Sequence, residues 1–141
     1  MSASPAIAVG ATIEPLSVGP ISPAQIAAFA DRSGDNNPIH VDEAAARRAG
    51  LAASPVPGMQ IVAWLHAAAA RFDRAIDVTG LSTRFLAPVA AGETIVISGR
   101  IVQVDAAGGR AVMRLFVKTA AGVLTSIAEA SLALPPGQGR A

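Results

Sequence analysis

The chain has 141 residues, 52% hydrophobic and 15% charged, which excludes a disordered polymer and is long enough to bury a core without staples. Lys+Arg 11 against Asp+Glu 10 gives a formal charge of +1 with no basic run, which argues against a nucleic-acid partner. Cysteine is absent, so disulfides and thiolate metal sites are excluded. The start, MSASPAIAVGATIEP, lacks the charged and apolar regions of a signal peptide. The most apolar stretch, 61–70, is too short to span a bilayer and is interrupted by His66. A soluble cytoplasmic protein of one domain over 1–141, with an ordered core about 11–134, is expected, and no membrane association.

In chain order, residues 1–10 read as a featureless tail, and 13–18 as a possible strand. Residues 22–72 read as helical. Ser22-Pro23-Ala24-Gln25 combines an N-cap serine, proline at the first helical position and glutamine at the third; Gly34 stops that helix. Asp42 caps a second helix over 43–49, with Arg47 and Arg48 in its last turn and Gly50 beyond. A third helix runs from Gly58 to Phe72. Its apolar residues fall on nearly all sides, which predicts a helix wrapped by other structure. Residues 79–134 read as strands: 81–87, a turn at Pro88 and Gly92, then 94–104, a Gly108-Gly109 turn, 111–119, a turn at Ala121-Gly122, and 123–134. PPGQGRA, residues 135–141, ends the last strand. The fold class is α+β, with an antiparallel sheet curved around one long buried helix.

The polar string Ser33-Gly34-Asp35-Asn36-Asn37-Pro38-Ile39-His40 stands out in an alanine-rich chain. Asp35 and His40 lie five apart on a loop stiffened by Pro38, and such a loop can turn both side chains into one cleft. A carboxylate beside an imidazole can share protons with it or fix its tautomer. The same residues also suit Asx-type turns and a helix cap. A second feature is Ser54-Pro55-Val56-Pro57-Gly58-Met59, where two prolines lead into the third helix. A helix start with glycine offers unpaired N–H groups to a close ligand, an oxyanion hole in function, or is simply a helix start. Trp64 suits core or a dimer contact. His66 could line a pocket or face solvent, and Arg47, Arg48 and Arg84 could meet phosphates or be solvated charges. No phosphate loop, serine elbow or metal cluster is present.

The string Phe29-Ala30-x-x-Ser33-Gly34-Asp35-x-Asn37-Pro38-Ile39-His40-x-Asp42, with Ala49-Gly50 and Gly58-Met59, resembles the motif of MaoC-like and (R)-specific enoyl-CoA hydratases. Arg84-Phe85-Leu86-Ala87-Pro88-Val89-x-x-Gly92-Glu93-Thr94-Ile95 resembles the strand–turn–strand after that family's central helix. Together they cover roughly 13–134. The resemblance implies a hotdog fold and a homodimer or dimer of dimers joined through sheet edges. It also implies an acyl thioester substrate, carried on coenzyme A or acyl carrier protein, and no cofactor. It maps the catalytic pair onto Asp35 and His40 and the carbonyl-binding N–H onto Gly58, with Asn37 in support. The activity implied is hydration of trans-2-enoyl thioesters or the reverse dehydration, within fatty acid metabolism. A hotdog thioesterase and a non-catalytic thioester-binding or dimer-partner subunit are the alternatives. One departure is Pro57, where many relatives carry histidine before Gly-Met; the imidazole is lost and the Gly58 donor remains.

Overall fold

A computed structural model describes residues 7–135. Among them the chain forms β1 (Leu16–Val18), α1 (Pro23–Ser33), a single 3-10 turn (Pro38–His40), α2 (Glu43–Arg48) and α3 (Gly58–Ala70). Four longer strands follow: β2 (Asp77–Phe85), β3 (Ile95–Asp105), β4 (Arg110–Thr119) and β5 (Leu124–Ala133). The strands make one antiparallel sheet in the order β1-β3-β4-β5-β2, so the first strand and the strand after α3 are its two edges.

Local signals place the helices. Ser22 Oγ accepts from the Gln25 N–H at 3.1 Å while Gln25 Oε1 accepts from the Ser22 N–H at 2.9 Å, a reciprocal box that fixes the start of α1. Gly34 closes α1 with φ of 76°, a left-handed conformation that costs a glycine little. Asp42 Oδ1 accepts from the Ala44 and Ala45 N–H groups and starts α2.

The sheet follows its period-two pattern. Ile95, Ile97, Gly99 and Ile101 of β3 and Ala111, Met113, Leu115 and Val117 of β4 are buried, while Val96 and Arg100 between them are exposed. This inner face packs on Ile61, Leu65, Ala68 and Ala69 of α3. Leu65 is completely buried there. Leu65→Ala is expected to cost about 2–5 kcal/mol, read as a lower urea midpoint at unchanged slope.

Three expectations need correction. Only one side of α3 is enclosed by this chain: Met59 is 66% exposed, and Ala63, His66 and Ala67 face outward. The run of alanines scores as apolar on every side, but a methyl group tolerates water, so patterning overstates the wrapping. Residues 7–10 are not a featureless tail, since Ile7 is buried in the core and the Gly10 N–H donates to the Ile101 carbonyl at 2.8 Å. Strand 81–87 begins earlier and stops at Phe85, because Leu86 and Ala87 instead donate to the Thr125 carbonyl as the chain turns away. The tail expectations for residues 1–6 and 136–141 fall outside the described residues. No helix among the described residues is long and apolar enough to cross a membrane.

Candidate active site

The bend between α1 and α2 carries the polar string, and its own hydrogen bonds shape it. The Asp35 N–H donates to Ser33 Oγ at 3.3 Å. The Asn37 N–H donates to Asp35 Oδ1 at 3.2 Å, and the Ile39 N–H donates to Asn37 Oδ1 at 3.2 Å. Asn37 thus caps the 3-10 turn that ends on His40. These successive Asx turns hold one oxygen of Asp35 and leave the other, Oδ2, free.

His40 is held from the other side. Its Nδ1 lies 2.8 Å from the Pro55 carbonyl oxygen. A carbonyl carries no proton, so Nδ1 must bear the hydrogen, and a neutral ring then has its lone pair on Nε2. That nitrogen lies 3.4 Å from Asp35 Oδ2. The separation is longer than a good N–H···O bond, and two acceptors face each other across it unless a proton or a water's hydrogens lie between. The His40 side chain is 11% exposed and that of Asp35 36%, so the imidazole is sheltered while the carboxylate opens to solvent. The arrangement suits a group that takes up and returns a proton. It is equally suited to holding a water by its two hydrogens.

Pro55 connects this pair to the start of α3. Residues 54–56 run against 89–91 as a short antiparallel bridge: the Val56 N–H donates to the Val89 carbonyl at 2.7 Å, and the Ala91 N–H to that of Ser54 at 2.9 Å. The strap therefore fixes both the anchor of His40 and the helix start two residues later. Pro57 is the N-cap of α3, in extended conformation with φ −55° and ψ 136°, and makes no side-chain cap. Its carbonyl accepts from the Gln60 and Ile61 N–H groups at 3.0 and 3.3 Å. The N–H groups of Gly58 and Met59 have no hydrogen-bond partner among the described residues. They are the free donors at the positive end of a 13-residue helix.

A cleft of about 350 Å³ opens at this point, lined by Pro55, Gly58, Ile61, Phe85, Leu86 and Pro88 among others. Phe85 lies across Gly58: a Cβ on Gly58 would meet the ring's Cζ at 3.1 Å. Asp35 and His40 are not among the cleft's lining residues, and Pro55 is the link between them and it.

The MaoC like domain model matches residues 6–122. The chain belongs to the MaoC-like family. Its fold is similar to that of an (R)-hydratase from A. caviae involved in PHA biosynthesis, at 26% identity and a TM-score of 0.84, covering 92% of this chain and 98% of that one. An unliganded (R)-hydratase from Pseudomonas aeruginosa is also 26% identical, with a TM-score of 0.82 over 92% of this chain and 83% of that one. The HadBC 3R-hydroxyacyl-ACP dehydratase complex from Mycobacterium tuberculosis matches at 21% identity and a TM-score of 0.75, over 90% of this chain and 98% of that one, a likeness of fold. No curated protein matches the sequence. The MaoC-like hydratase and dehydratase family accounts for the curved sheet against one long helix, the hotdog arrangement that the motifs implied.

The weaker candidates separate from the site. His66 faces outward from α3, away from the cleft. Trp64 is half-buried against the core. Arg47, Arg48 and Arg84 are exposed and take part in neither ion pair found among the described residues. Sequence reasoning missed Pro55 as the group that orients His40. The signal available was the extended Pro-Val-Pro stretch, which shows a strap but not what hangs on it.

Proposed function

We propose that this MaoC-like protein is a hydro-lyase that adds water to trans-2-enoyl thioesters and, in reverse, dehydrates (R)-3-hydroxyacyl thioesters. The observation that carries this reading is the His40 ring held by Pro55 so that its Nε2 faces Asp35 Oδ2 at 3.4 Å. In the forward direction Asp35 and His40 hold one water. A proton passes from it to the pair as its oxygen bonds to the β-carbon of the enoyl group. The electron pair of the double bond moves onto the thioester oxygen, where the Gly58 N–H and the helix end stabilise the enolate. The pair then returns the proton to the α-carbon on the same face, so one water is added and no proton is left over. Asn37 keeps the loop in shape. The acyl group travels on coenzyme A or a carrier protein.

A homodimer, or a dimer of such dimers, is the assembly we favour. Support comes from β2, an edge strand that pairs with β5 and ends at Phe85 with Leu86 just beyond, the two side chains 50% and 49% exposed. The test of the activity is the fall in enoyl-thioester absorbance when protein is added to a short-chain trans-2-enoyl-CoA. Steady loss of absorbance with formation of the (R)-3-hydroxy product is expected. Free thiol released at the same rate would favour a thioesterase instead, and turnover appearing only with a second, homologous chain would favour a partner subunit.

A further inference from the structure

Near Phe85, the inner face of the sheet carries hydroxyls with nothing to bond. Ser126 is 0% exposed and its Oγ has no partner; Thr83 Oγ1 is likewise buried and unpaired. Buried hydroxyls are normally satisfied, and leaving one unpaired costs stability. The adjacent hydroxyl of Thr125, by contrast, donates to the Val117 carbonyl at 3.1 Å. The two orphans are neighbours. Ser126 stands directly across the ladder from Phe85, and Thr83 precedes Phe85 by two residues on the same strand. Cross-strand partners and alternate residues share a sheet face, so all three point the way Phe85 points, toward the start of α3. Between them stands Ala128, opposite Thr83, which fills little space. Phe85, the cross-strand partner of Ser126, is half exposed at the end of an edge strand and rests on a residue without a side chain. Gln60 Oε1 is also buried and unpaired, but lies on the far side of α3 from Gly58.

Resting on the hydro-lyase reading, we propose that Ser126 and Thr83, beside Phe85, form a polar acyl subsite for enoyl thioesters bearing a neutral oxygen beyond the double bond. A hydroxyl can donate to a ketone and accept from an alcohol, so both groups fit. A carboxylate does not, because Leu81, Ala128, Ala130 and Val117 around the pair offer it no countercharge. Displacement of the Phe85 ring joins the subsite to the Gly58 N–H, which places thioester carbonyl and distal oxygen at opposite ends of one cavity.

The test compares kcat/KM for straight-chain enoyl-CoA thioesters with and without a hydroxyl or keto group at the fifth carbon. The native protein is expected to prefer the oxygenated substrate by roughly ten-fold, one good hydrogen bond's worth, and Ser126→Ala and Thr83→Val each to bring that ratio toward parity, mainly through KM. An unchanged ratio in both variants overturns the subsite. Calorimetric binding of the corresponding saturated acyl-CoA compounds, which cannot react, separates the two claims. Oxygen-dependent binding that Ser126→Ala removes, without any hydration, supports the subsite and overturns the hydro-lyase reading. Hydration with binding indifferent to the oxygen does the reverse.

Discussion

Replacing His40 by alanine is expected to lower kcat for enoyl-thioester hydration by about 10³-fold, within the range that positioned acid–base groups supply. The imidazole is oriented from outside the bend, through Nδ1 and the Pro55 carbonyl, so its loss removes the Nε2 lone pair and leaves the Asp35 carboxylate without its partner. Asp35→Asn is expected to lose a similar factor although it keeps the shape of the side chain. The reason is the loop's own bonding. The asparagine oxygen would take over the Asn37 N–H that Asp35 Oδ1 accepts, which turns the new NH2 toward His40 Nε2. That donor would occupy the base. Because the two residues act as a unit, the double variant should be little worse than either single one. Circular dichroism and melting of each variant keep a folding defect from being read as chemistry. Near-native rates in either single variant would remove the pair from the mechanism.

The second large effect concerns one N–H at the start of α3. Gly58→Pro removes the donor at a position where a helix accepts proline, since the first-turn N–H has no intrahelical partner. The preceding residue is already in the extended conformation that proline demands of its neighbour, with Pro57 at ψ 136°. Gly58→Ala is the control, because it adds the Cβ that presses on Phe85 at 3.1 Å yet keeps the N–H. Alanine is expected to cost less than about ten-fold, as the half-exposed ring can yield, whereas proline should cost a further 10²–10³ in kcat, the range for losing one oxyanion donor. Steady-state rates on a single enoyl-CoA would decide it. Equal losses in the two variants would mean that crowding alone matters and that the thioester oxygen does not reach this donor.

The parts of the fold that were legible in the sequence are those set by neighbours along the chain. The Ser22–Gln25 box, the Gly34 stop and the Asp42 cap each depend on groups within a few residues, and each forms as expected. β3, β4 and β5 announce themselves through β-branched residues and glycine turns, and their ends shift by only a residue. The outward face of α3 was misread because alanine carries so little information about burial. The segment that buries Ile7 is anchored by the Gly10 N–H on the Ile101 carbonyl, a partner far along the chain that leaves no trace in the tail's own composition. The candidate site divides in the same way. Asp35 and His40 are joined by a short bend and were visible as a pair. The bond that gives His40 its tautomer comes from Pro55, fifteen residues on, through a backbone carbonyl that every residue possesses. No residue type encodes such a contact. Phe85 over Gly58 and Ser126 beside Phe85 were hidden for a related reason, since they need the register of β2 against β5 and the position of α3 on the sheet.

The proposed mechanism turns on one water held jointly by the imidazole and the carboxylate, beside the pair, and facing a thioester whose oxygen rests on the helix end. A crystal structure with a non-hydrolysable enoyl-thioester analogue tests it directly. The account predicts an ordered water bonded to both His40 Nε2 and Asp35 Oδ2, and the analogue's carbonyl oxygen about 2.7–3.1 Å from the Gly58 nitrogen. An analogue bound with its carbonyl turned away from Gly58, or Asp35 and His40 closed on each other with no water near the β-carbon, would contradict it.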